Sequence, residues 1–221
     1  LKGNAFILFL KYPERGAAKT RIARALGDDW TLALYRCFIA DLSGMVRDVM
    51  AETVMVYSGP SGVSFSDFPG ARKIRQRGSD IGERMHNAFQ DVFALGFERA
   101  ALIGSDIPDL PARLVNDAFE KLTSADVVLG PGTDGGYYLI GCRRDSLRSS
   151  MFSGIPWSTD AVLPETRKRI AEAGLAAEQL EAWPDIDEVD DLKQFYQRNR
   201  QQTKMSRTMK FLHKAEMIHE P

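Results

Sequence analysis

The sequence predicts a three-layer α/β/α domain in which helices cover both faces of a mostly parallel, mixed β-sheet. Short apolar runs alternate with stretches of helical periodicity along most of the chain, which is typical of a parallel sheet with crossover helices. The last predicted strands follow one another without a long helix between them, which indicates a mixed sheet. Because the chain has no internal repeat, low-complexity tract or linker, we expect residues 1–200 to form one domain, followed by a basic helical tail at 201–221.

Each element is predicted from its own pattern of apolar and turn-forming residues. The run AFILFL at 5–10 is apolar throughout, as expected of a strand that is buried on both faces. Leu34, Phe38 and Leu42 recur at helical spacing, and Pro111 marks the start of a later helix. Further strands are predicted at 53–58, 73–78, 100–104, 125–130 and 137–142. Helices are predicted at 19–26, 31–50, 81–96, 111–122, 159–174 and 188–200.

Composition and charge argue against several functional classes. The chain has 221 residues, of which 44% are hydrophobic and 27% charged, and its formal net charge is −1, which does not favour binding to nucleic acid. No apolar run approaches the ~20 residues of a transmembrane helix, and AFILFL is too short for a signal-peptide core, so we expect a cytoplasmic protein. Cys37 and Cys142 are expected to be buried thiols, because their spacing fits no metal knuckle.

A cation-rich loop follows the first predicted strand. The stretch KYPERGAAKTRIARAL at 11–26 contains Gly16 and, at the start of the next helix, Lys19 and Arg21. Ligands of open α/β sheets bind at the carboxyl ends of the strands, and a helix N-terminus there offers N–H groups to an anion. Cations near a helix N-terminus oppose the helix dipole, and a bound anion would relieve that cost. We interpret this loop as a phosphate site, the alternative being a solvated helix face.

Two better-known nucleotide-binding loops do not fit the sequence. A Walker A loop requires Gly directly before Lys, whereas Ala18 precedes Lys19. The letters GPGTDG at 130–135 match the dinucleotide-binding pattern, but they lead into a predicted strand rather than a helix. The sequence therefore favours neither a P-loop ATPase nor a dinucleotide-binding protein.

A carboxylate stands at the end of the predicted strand 100–104. Because the carboxyl ends of parallel strands meet at one sheet edge, we expect Asp106 to lie near the cationic loop, as the first ligand of a divalent metal. Asp109 lies just before the next helix, and we interpret it as the N-cap of that helix.

A second acidic cluster, WPDIDEVDDL, lies at 183–192. Asp185 and Asp187 alternate along an extended segment, so only one of them is expected to point into a site. Asp190 and Asp191 are expected to cap the last helix or to favour its N-terminal dipole. From these residues alone, a structural cluster and a metal site are equal alternatives.

Taken in order, these motifs resemble one known protein family. The loop with Lys-x-Arg, the strand ending in GSDIP at 104–108, TDGGYYLIG at 133–141 and DIDEVDDL at 185–192 resemble the nucleotide-diphospho-sugar transferase superfamily, which has the Rossmann-like glycosyltransferase A fold. The pattern is most similar to a bacterial branch of glycosyltransferase-like proteins. That branch in turn resembles the 2-phospholactate and molybdenum-cofactor guanylyltransferases. The resemblance covers residues 5 to about 195.

The resemblance implies roles for residues of the first loop. Lys19, Thr20 and Arg21 would hold the nucleotide phosphates, with Gly16 in the same loop. Lys19 and Arg21 would also act in catalysis, because they would neutralise the negative charge that grows in the transition state.

The resemblance also implies a metal site and a nucleotide contact. Asp106 would be a catalytic residue that binds Mg²⁺ or Mn²⁺, and Asp187 would complete the metal site. The stretch GSDIGERM at 78–85 matches a segment near the nucleotide in relatives, where Gly82 and Arg84 would contact it.

A glycine-rich turn is the candidate acceptor site. Asp134 precedes Gly135 and Gly136, and its carboxylate could contact an acceptor or sugar hydroxyl, with the two glycine N–H groups exposed for the same purpose. The commoner role of such an aspartate is an Asx turn. Tyr137 and Trp157 could form the walls of an acceptor pocket, the alternative being that both belong to the core.

We therefore expect a metal-dependent transferase that uses a nucleoside triphosphate or a nucleotide sugar. Either a nucleotidyl or a glycosyl group would pass to a small acceptor, with Mg²⁺ or Mn²⁺ bridging phosphate oxygens. The alternative is a non-catalytic nucleotide-binding or regulatory protein that retains the fold. The tail at 201–221 is expected to be a packed terminal helix, a dimer contact or a membrane-surface helix, so a homodimer is among the expected assemblies.

Overall fold

The structure is a computed structural model that describes residues 2–215 of the chain. These residues contain seven strands and seven α-helices. The strands are β1 (Lys2–Lys11), β2 (Glu52–Ser58), β3 (Arg72–Arg75), β4 (Phe97–Ile103), β5 (Val127–Pro131), β6 (Tyr137–Arg143) and β7 (Ala177–Gln179). The helices are α1 (Thr20–Leu26), α2 (Asp28–Val46), α3 (Ile81–Ala94), α4 (Ala112–Lys121), α5 (Val162–Glu172), α6 (Val189–Asn199) and α7 (Arg207–Lys214).

The strands form one sheet in the order β3-β2-β1-β4-β6-β5-β7. The first four strands run parallel to one another, and β7 runs parallel to β5. Strand β6 is antiparallel to both of its neighbours, β4 and β5. The predicted α/β fold with a mostly parallel, mixed sheet is therefore confirmed.

The run AFILFL is apolar throughout because β1 is a central strand that is covered on both faces. Its even-numbered side chains, from Phe6 to Leu10, pack into one core. Its odd-numbered side chains, from Ala5 to Phe9, pack into a second core on the opposite face. Side chains of a strand alternate between faces, so a strand between two helical layers needs an apolar residue at every position.

Two layers of helices enclose the sheet. Helices α1, α2, α4, α6 and α7 contribute to the first core, which includes the buried residues Ile22, Phe38 and Phe195. Helices α3 and α5 cover the opposite face, where Phe89 and Ile170 are buried. None of the described helices is both long enough and apolar enough to cross a membrane.

The described part of the C-terminal tail packs against α2. Met209 and Leu212 of α7 are buried in the first core, and the rings of Phe211 and Trp30 lie 5.0 Å apart. The carboxylate of Asp41 accepts hydrogen bonds from two backbone N–H groups at the start of α7, which satisfies donors that a helix start leaves without partners. Of the three roles considered for the tail, residues 201–215 thus show packing, and the remainder of the tail lies outside the described residues.

Several local features differ from the prediction. The short strand β7 was not predicted, because its three residues, AEQ, have neither an apolar pattern nor β-branched side chains. It pairs with β5 next to Asp126, whose carboxylate accepts a hydrogen bond from the N–H of Ala176 at 2.9 Å. Both cysteines are free, but Cys142 is buried whereas Cys37 is only partly buried.

Two glycines provide a matched test of this packing. A Cβ added to Gly82, in the first turn of α3, would lie 2.4 Å from the carbonyl oxygen of Phe152 and 2.9 Å from Cζ2 of Trp157. A Cβ added to Gly44, in the exposed last turn of α2, would meet no atom within 4 Å.

We expect Gly82→Ala to lower the free energy of unfolding by about 1–3 kcal/mol through overpacking, which lowers the Tm by roughly 3–9 °C. Gly44→Ala is expected to raise the free energy of unfolding by up to about 1 kcal/mol, because alanine loses less backbone entropy in a helix. Thermal unfolding followed by circular dichroism measures both changes. Equal melting temperatures for the two variants would contradict the close packing described at Gly82.

Candidate functional site

The candidate site lies at the carboxyl ends of β1 and β4. Strands β2 and β3 lie on one side of β1 in the sheet, and the next strand along the chain, β4, lies on the other side of β1. A reversal of strand order leaves a crevice at the strand ends, which is where open α/β sheets bind ligands. A cavity of about 480 Å³ lies there. We call it the charged pocket, because its lining includes the cations Lys11, Lys19, Arg21 and Arg84 and the carboxylates Asp106 and Asp187.

Lys19 joins the two carboxylates of the charged pocket. Its Nζ lies 2.8 Å from Oδ1 of Asp106 and 2.7 Å from Oδ1 of Asp187, and it also donates to the carbonyl oxygen of Ile186. The Lys19 side chain is only 3% exposed, whereas those of Asp106 and Asp187 are 41% and 47% exposed. The lysine therefore lies beneath the carboxylates, and the carboxylates face the cavity.

The backbone of Lys19 has a conformation that is uncommon for a residue with a side chain. Lys19 is the N-cap of α1, with φ 54° and ψ 45°, in the left-handed region. Such a conformation costs about 1–2 kcal/mol and persists only where the surroundings enforce it. Here the three contacts of Nζ hold the side chain of Lys19 inward. They enforce the strained backbone of Lys19, because they fix its ammonium between the two carboxylates.

Backbone contacts hold the acidic segment at 185–188 against the end of β4. The N–H of Ile186 donates to the carbonyl oxygen of Asp106 at 2.9 Å. The N–H groups of Asp187 and Glu188 both donate to Oδ2 of Asp191, which lies in the first turn of α6. Asp191 thus belongs to the helix start as predicted, although the N-cap residue itself is Glu188.

Two residues that the sequence did not single out position this arrangement. Tyr35 of α2 is buried, and its hydroxyl donates to the carbonyl oxygen of Lys11 and accepts from the N–H of Lys11. The same hydroxyl lies 2.9 Å from Oγ of Ser105 and so connects the ends of β1 and β4. Tyr35 occurs at an apolar helical spacing, which indicates the core and gives no signal of its polar contacts.

Charge coupling is strong in this cluster. Burial lowers the pKa of the Lys19 ammonium, but the carboxylates of Asp106 and Asp187 more than offset this, so the pKa is raised overall. Burial raises the pKa of Asp187, but Lys19 more than offsets it, so that pKa is lowered. Asp185 behaves differently: burial and the neighbouring carboxylates of Asp187 and Asp134 raise its pKa to about 6.

A second cavity, of about 300 Å³, adjoins the charged pocket, and Ile81 and Ser158 line both. We call it the aromatic pocket, because its lining includes Tyr137 and Trp157, together with Met85, Asp134, Gly136 and Asp185. The rings of Tyr137 and Trp157 are in edge-to-face contact, with centroids 6.5 Å apart. Asp187 lines the charged pocket and Asp185 the aromatic pocket, so alternation along the segment directs the two carboxylates to different cavities.

Most of the predicted site residues lie in one of the two pockets. Lys19, Thr20, Arg21, Arg84, Asp106 and Asp187 line the charged pocket. Asp134, Gly136, Tyr137 and Trp157 line the aromatic pocket.

Three predicted glycines line neither pocket. Gly16 lies in the exposed loop before α1 with φ 72°, and Gly82 lies beneath Phe152 and Trp157. Gly135 has φ 90°, and a Cβ there would lie 2.4 Å from the backbone of Asp160. The structure therefore gives Gly82 and Gly135 packing roles, and their ligand contacts stay predictions.

The turn at Asp134 is an Asx turn. Oδ1 of Asp134 accepts a hydrogen bond from the N–H of Gly136 at 2.9 Å. That N–H is consequently not free for an acceptor, contrary to the functional interpretation of the turn. The carbonyl oxygen of Gly135 accepts from the N–H of Leu163, which ties the turn to α5.

The prediction for Asp109 was wrong. The N-cap of α4 is Pro111, and no side chain caps that helix. The Asp109 carboxylate is instead buried, and it accepts from Arg198 at 2.7 and 3.1 Å and from Nδ2 of Asn199 at 2.7 Å. Asp109 thus anchors the end of α6 to the segment after β4, a contact between residues about 90 positions apart that local sequence does not reveal.

Comparison with known proteins identifies the family. A family model described as "Uncharacterized protein conserved in bacteria" (DUF2064) matches residues 42–159, more than half of the chain. The chain belongs to this family. No curated protein matches the sequence.

Solved structures share the fold of this DUF2064 protein. A candidate nucleotide-diphospho-sugar transferase from Desulfovibrio desulfuricans G20 is 36% identical, with a TM-score of 0.90 over 97% of this chain and 95% of that one. A CMP:2-keto-3-deoxy-manno-octonic acid synthetase, solved with CTP, is 16% identical, with a TM-score of 0.58 over 91% and 99% of the two chains. A Mycobacterium tuberculosis protein solved with manganese is 10% identical, with a TM-score of 0.52 over 89% and 99%. The expected resemblance to nucleotide-diphospho-sugar transferases and nucleotidyltransferases is confirmed.

The charged pocket of the DUF2064 protein fits a divalent cation only together with a substrate. Among residues 2–215, no group of three or more His, Cys, Asp or Glu side chains forms a metal cage. Asp106 and Asp187 supply two hard oxygen ligands, and Oδ1 of each already contacts the same cation, the ammonium of Lys19. Mg²⁺ commonly binds through one or two carboxylates while phosphate oxygens and waters complete its shell, so the donor set fits this mode.

The raised pKa of Asp185 predicts a pH-dependent stability of the metal-free protein. Because its folded pKa, about 6, exceeds the ordinary value of 3.8, the folded state loses stability as the pH rises through this interval. We therefore expect Asp185→Asn to raise the Tm relative to wild type at pH 8, and to raise it less at pH 4, with EDTA in both buffers. Asp190→Asn, which removes an exposed carboxylate paired with Lys193, is the control. A Tm difference for Asp185→Asn that is identical at the two pH values would contradict the raised pKa of Asp185.

Proposed function

We propose that this DUF2064 protein is a metal-dependent transferase whose donor is a nucleoside triphosphate or a nucleotide sugar. The observation that carries the proposal is the Lys19 bridge between Asp106 and Asp187, which lies at the switch point of the sheet. A buried lysine that shares two cavity-facing carboxylates gives one site both an anion-binding and a cation-binding group. A polyphosphate bound with a divalent metal requires this combination.

The cations of the charged pocket suit the phosphates of the donor. Arg21 and Arg84 line the pocket, and the Arg84 side chain is oriented by a hydrogen bond from Nε to the carbonyl oxygen of Gly78 at 3.1 Å. Arg21 would bind phosphate oxygens directly, and Lys19 would do so once its Nζ moves out from between the two carboxylates, so that both stabilise the charge that develops during transfer. Thr20, in the first turn of α1, offers a hydroxyl on the same lining.

Asp106 and Asp187 are the residues that would hold Mg²⁺ or Mn²⁺. When bound, the metal would act as a Lewis acid toward phosphate oxygens and neutralise part of their charge. The CTP and manganese present in two structures of the same fold support this assignment by analogy. The chain itself contributes the orientation of the two carboxylates, through the contact of Ile186 with Asp106.

Two chemistries fit the charged pocket. In nucleotidyl transfer, an acceptor oxygen attacks the α-phosphorus of a triphosphate and pyrophosphate leaves. In glycosyl transfer, the acceptor oxygen attacks the sugar carbon and a nucleoside diphosphate leaves. The 36% identical relative from D. desulfuricans is described as a candidate nucleotide-diphospho-sugar transferase, which favours a nucleotide sugar as donor.

Thermal shifts with a panel of nucleoside triphosphates and nucleotide sugars test the proposal, each with and without Mg²⁺ or Mn²⁺. A ligand at about 100 times its Kd stabilises the folded state by about 2.7 kcal/mol, which raises the Tm by roughly 5–10 °C. We expect at least one nucleotide to give such a shift only when the metal is present. A panel without any metal-dependent shift would contradict the proposal and favour a non-catalytic role.

Substitutions in the charged pocket should separate the phosphate and metal functions. We expect Lys19→Ala to weaken binding of the active nucleotide by about 1–3 kcal/mol, because a charge-assisted phosphate contact is lost. Asp106→Asn should instead remove the metal dependence of binding. Isothermal titration calorimetry measures both effects independently of any change in folding stability.

Arg24→Ala is the matched control for Lys19→Ala. It removes one positive charge from the same helix, but Arg24 does not line the charged pocket. Its nucleotide affinity should stay close to that of wild type. If Lys19→Ala and Arg24→Ala weakened binding equally, the contribution of Lys19 would be a general effect of net charge.

A further inference from the structure

We infer that the acceptor of this enzyme is a hydroxyl-bearing compound without a negative charge, and that it binds in the aromatic pocket. The inference rests on the proposed function, because a transferase needs an acceptor beside its donor. It depends on four features of the aromatic pocket: its position, its apolar walls, the charges on its lining and a carboxylate without a hydrogen-bond donor.

The position of the aromatic pocket suits an acceptor. Ile81 and Ser158 line both cavities, so a ligand in the aromatic pocket would lie directly beside a donor in the charged pocket. Ser158, at this boundary, has φ 65°. Left-handed backbone at a residue other than glycine is uncommon and concentrates at ligand sites.

The walls of the aromatic pocket suit a ligand with a flat or apolar face. Tyr137 and Trp157 pack edge to face at 76°, and Met85 lies beside them on the lining. Ile81, which lines both cavities, is 38% exposed, which is unusual for a large apolar side chain among the described residues. Aromatic rings of this kind stack on sugar rings and on other apolar faces.

The charges on the lining exclude an anionic ligand. Asp134 and Asp185 are acidic, and the described lining contains no Lys, Arg or His. A phosphate or carboxylate in this cavity would therefore meet two carboxylates and no cation on the lining. Like charges brought together at an interface select against a partner strongly.

Asp185 provides the hydrogen-bonding specificity. Within residues 2–215, no group donates a hydrogen bond to its carboxylate, although the residue is half-buried. Asp106 and Asp187, by contrast, both contact Lys19. The carboxylate of Asp185 is partly shielded from water and has acceptor capacity to spare, and the hydroxyl of an acceptor would supply a donor to it. Such an acceptor offers a hydroxyl oxygen, rather than a phosphate oxygen, to the transferred group.

Two probes that share a phenyl ring test the charge preference. Phenyl β-D-glucoside is neutral and carries hydroxyl groups, whereas phenyl phosphate is anionic. Their affinities for the full-length protein are measured by saturation-transfer NMR. Saturating Mg²⁺ and inorganic pyrophosphate are present throughout, so that the charged pocket is filled and cannot take the anionic probe.

We expect the wild-type protein to bind the glucoside at least about tenfold more tightly than phenyl phosphate. Asp185→Asn should weaken the glucoside and strengthen phenyl phosphate, and these opposite changes cannot come from a loss of folding. Asp190→Asn, in the same segment but outside the lining, should change neither affinity. The inference is overturned if phenyl phosphate binds as tightly as the glucoside, if the glucoside does not bind, or if Asp185→Asn shifts both probes in the same direction.

Failure of this inference about the acceptor can be distinguished from failure of the proposed function. The nucleotide panel reports on the charged pocket and the two phenyl probes report on the aromatic pocket. Metal-dependent nucleotide binding with no glucoside preference would overturn the acceptor class alone. A glucoside preference that depends on Asp185, without any nucleotide binding, would support a hydroxyl-binding pocket and contradict the transferase.

Discussion

The ion pair of one buried lysine with two carboxylates is the interaction on which the rest of the site depends. Lys19, Asp106 and Asp187 come from three separate parts of the chain, and they meet only because β1 and β4 are neighbours in the sheet. A buried ammonium is costly unless it is paired, and removal of either partner leaves an uncompensated charge. The loop after β1, the end of β4 and the segment before α6 are therefore constrained together.

The site carries more negative than positive charge at its centre. Asp134 and Asp185 lie near the Lys19 bridge, and burial together with the neighbouring carboxylates raises the pKa of Asp185. A divalent cation would offset this repulsion, and the phosphates of a donor would in turn satisfy the cations of the charged pocket. The two pockets thus have opposite electrostatic preferences, although they share part of their lining.

The fold was predicted well from the sequence, because the apolar pattern that identifies each strand or helix lies within that element. The fully apolar run in β1 and the helical spacing in α2 each reflect which faces are buried, and burial is repeated at every position of an element. The strand β7 was missed because an edge strand of three residues buries little and leaves no such pattern.

The residues of the site were harder to predict than the fold, because their contacts join residues that are far apart in the sequence. Lys19 and Asp106 were singled out because they follow predicted strands at the edge of the sheet where ligands bind. Asp187 was singled out by the family resemblance, because its own segment left Asp185 and Asp187 as alternatives. Asp109 was wrongly interpreted as a helix cap, because its partner Arg198 lies 89 residues away. Tyr35 was missed because its ring follows the apolar pattern and only its hydroxyl makes the polar contacts that connect β1 and β4.

A crystal structure with Mn²⁺ and the nucleotide selected by the thermal-shift panel tests the central claim most directly. Anomalous scattering would locate the manganese independently of any assumption about its ligands. The account predicts a manganese peak in contact with oxygens of both Asp106 and Asp187, with Nζ of Lys19 moved to a phosphate oxygen. A manganese bound elsewhere, with Lys19 still joining both carboxylates beside a bound nucleotide, would contradict it.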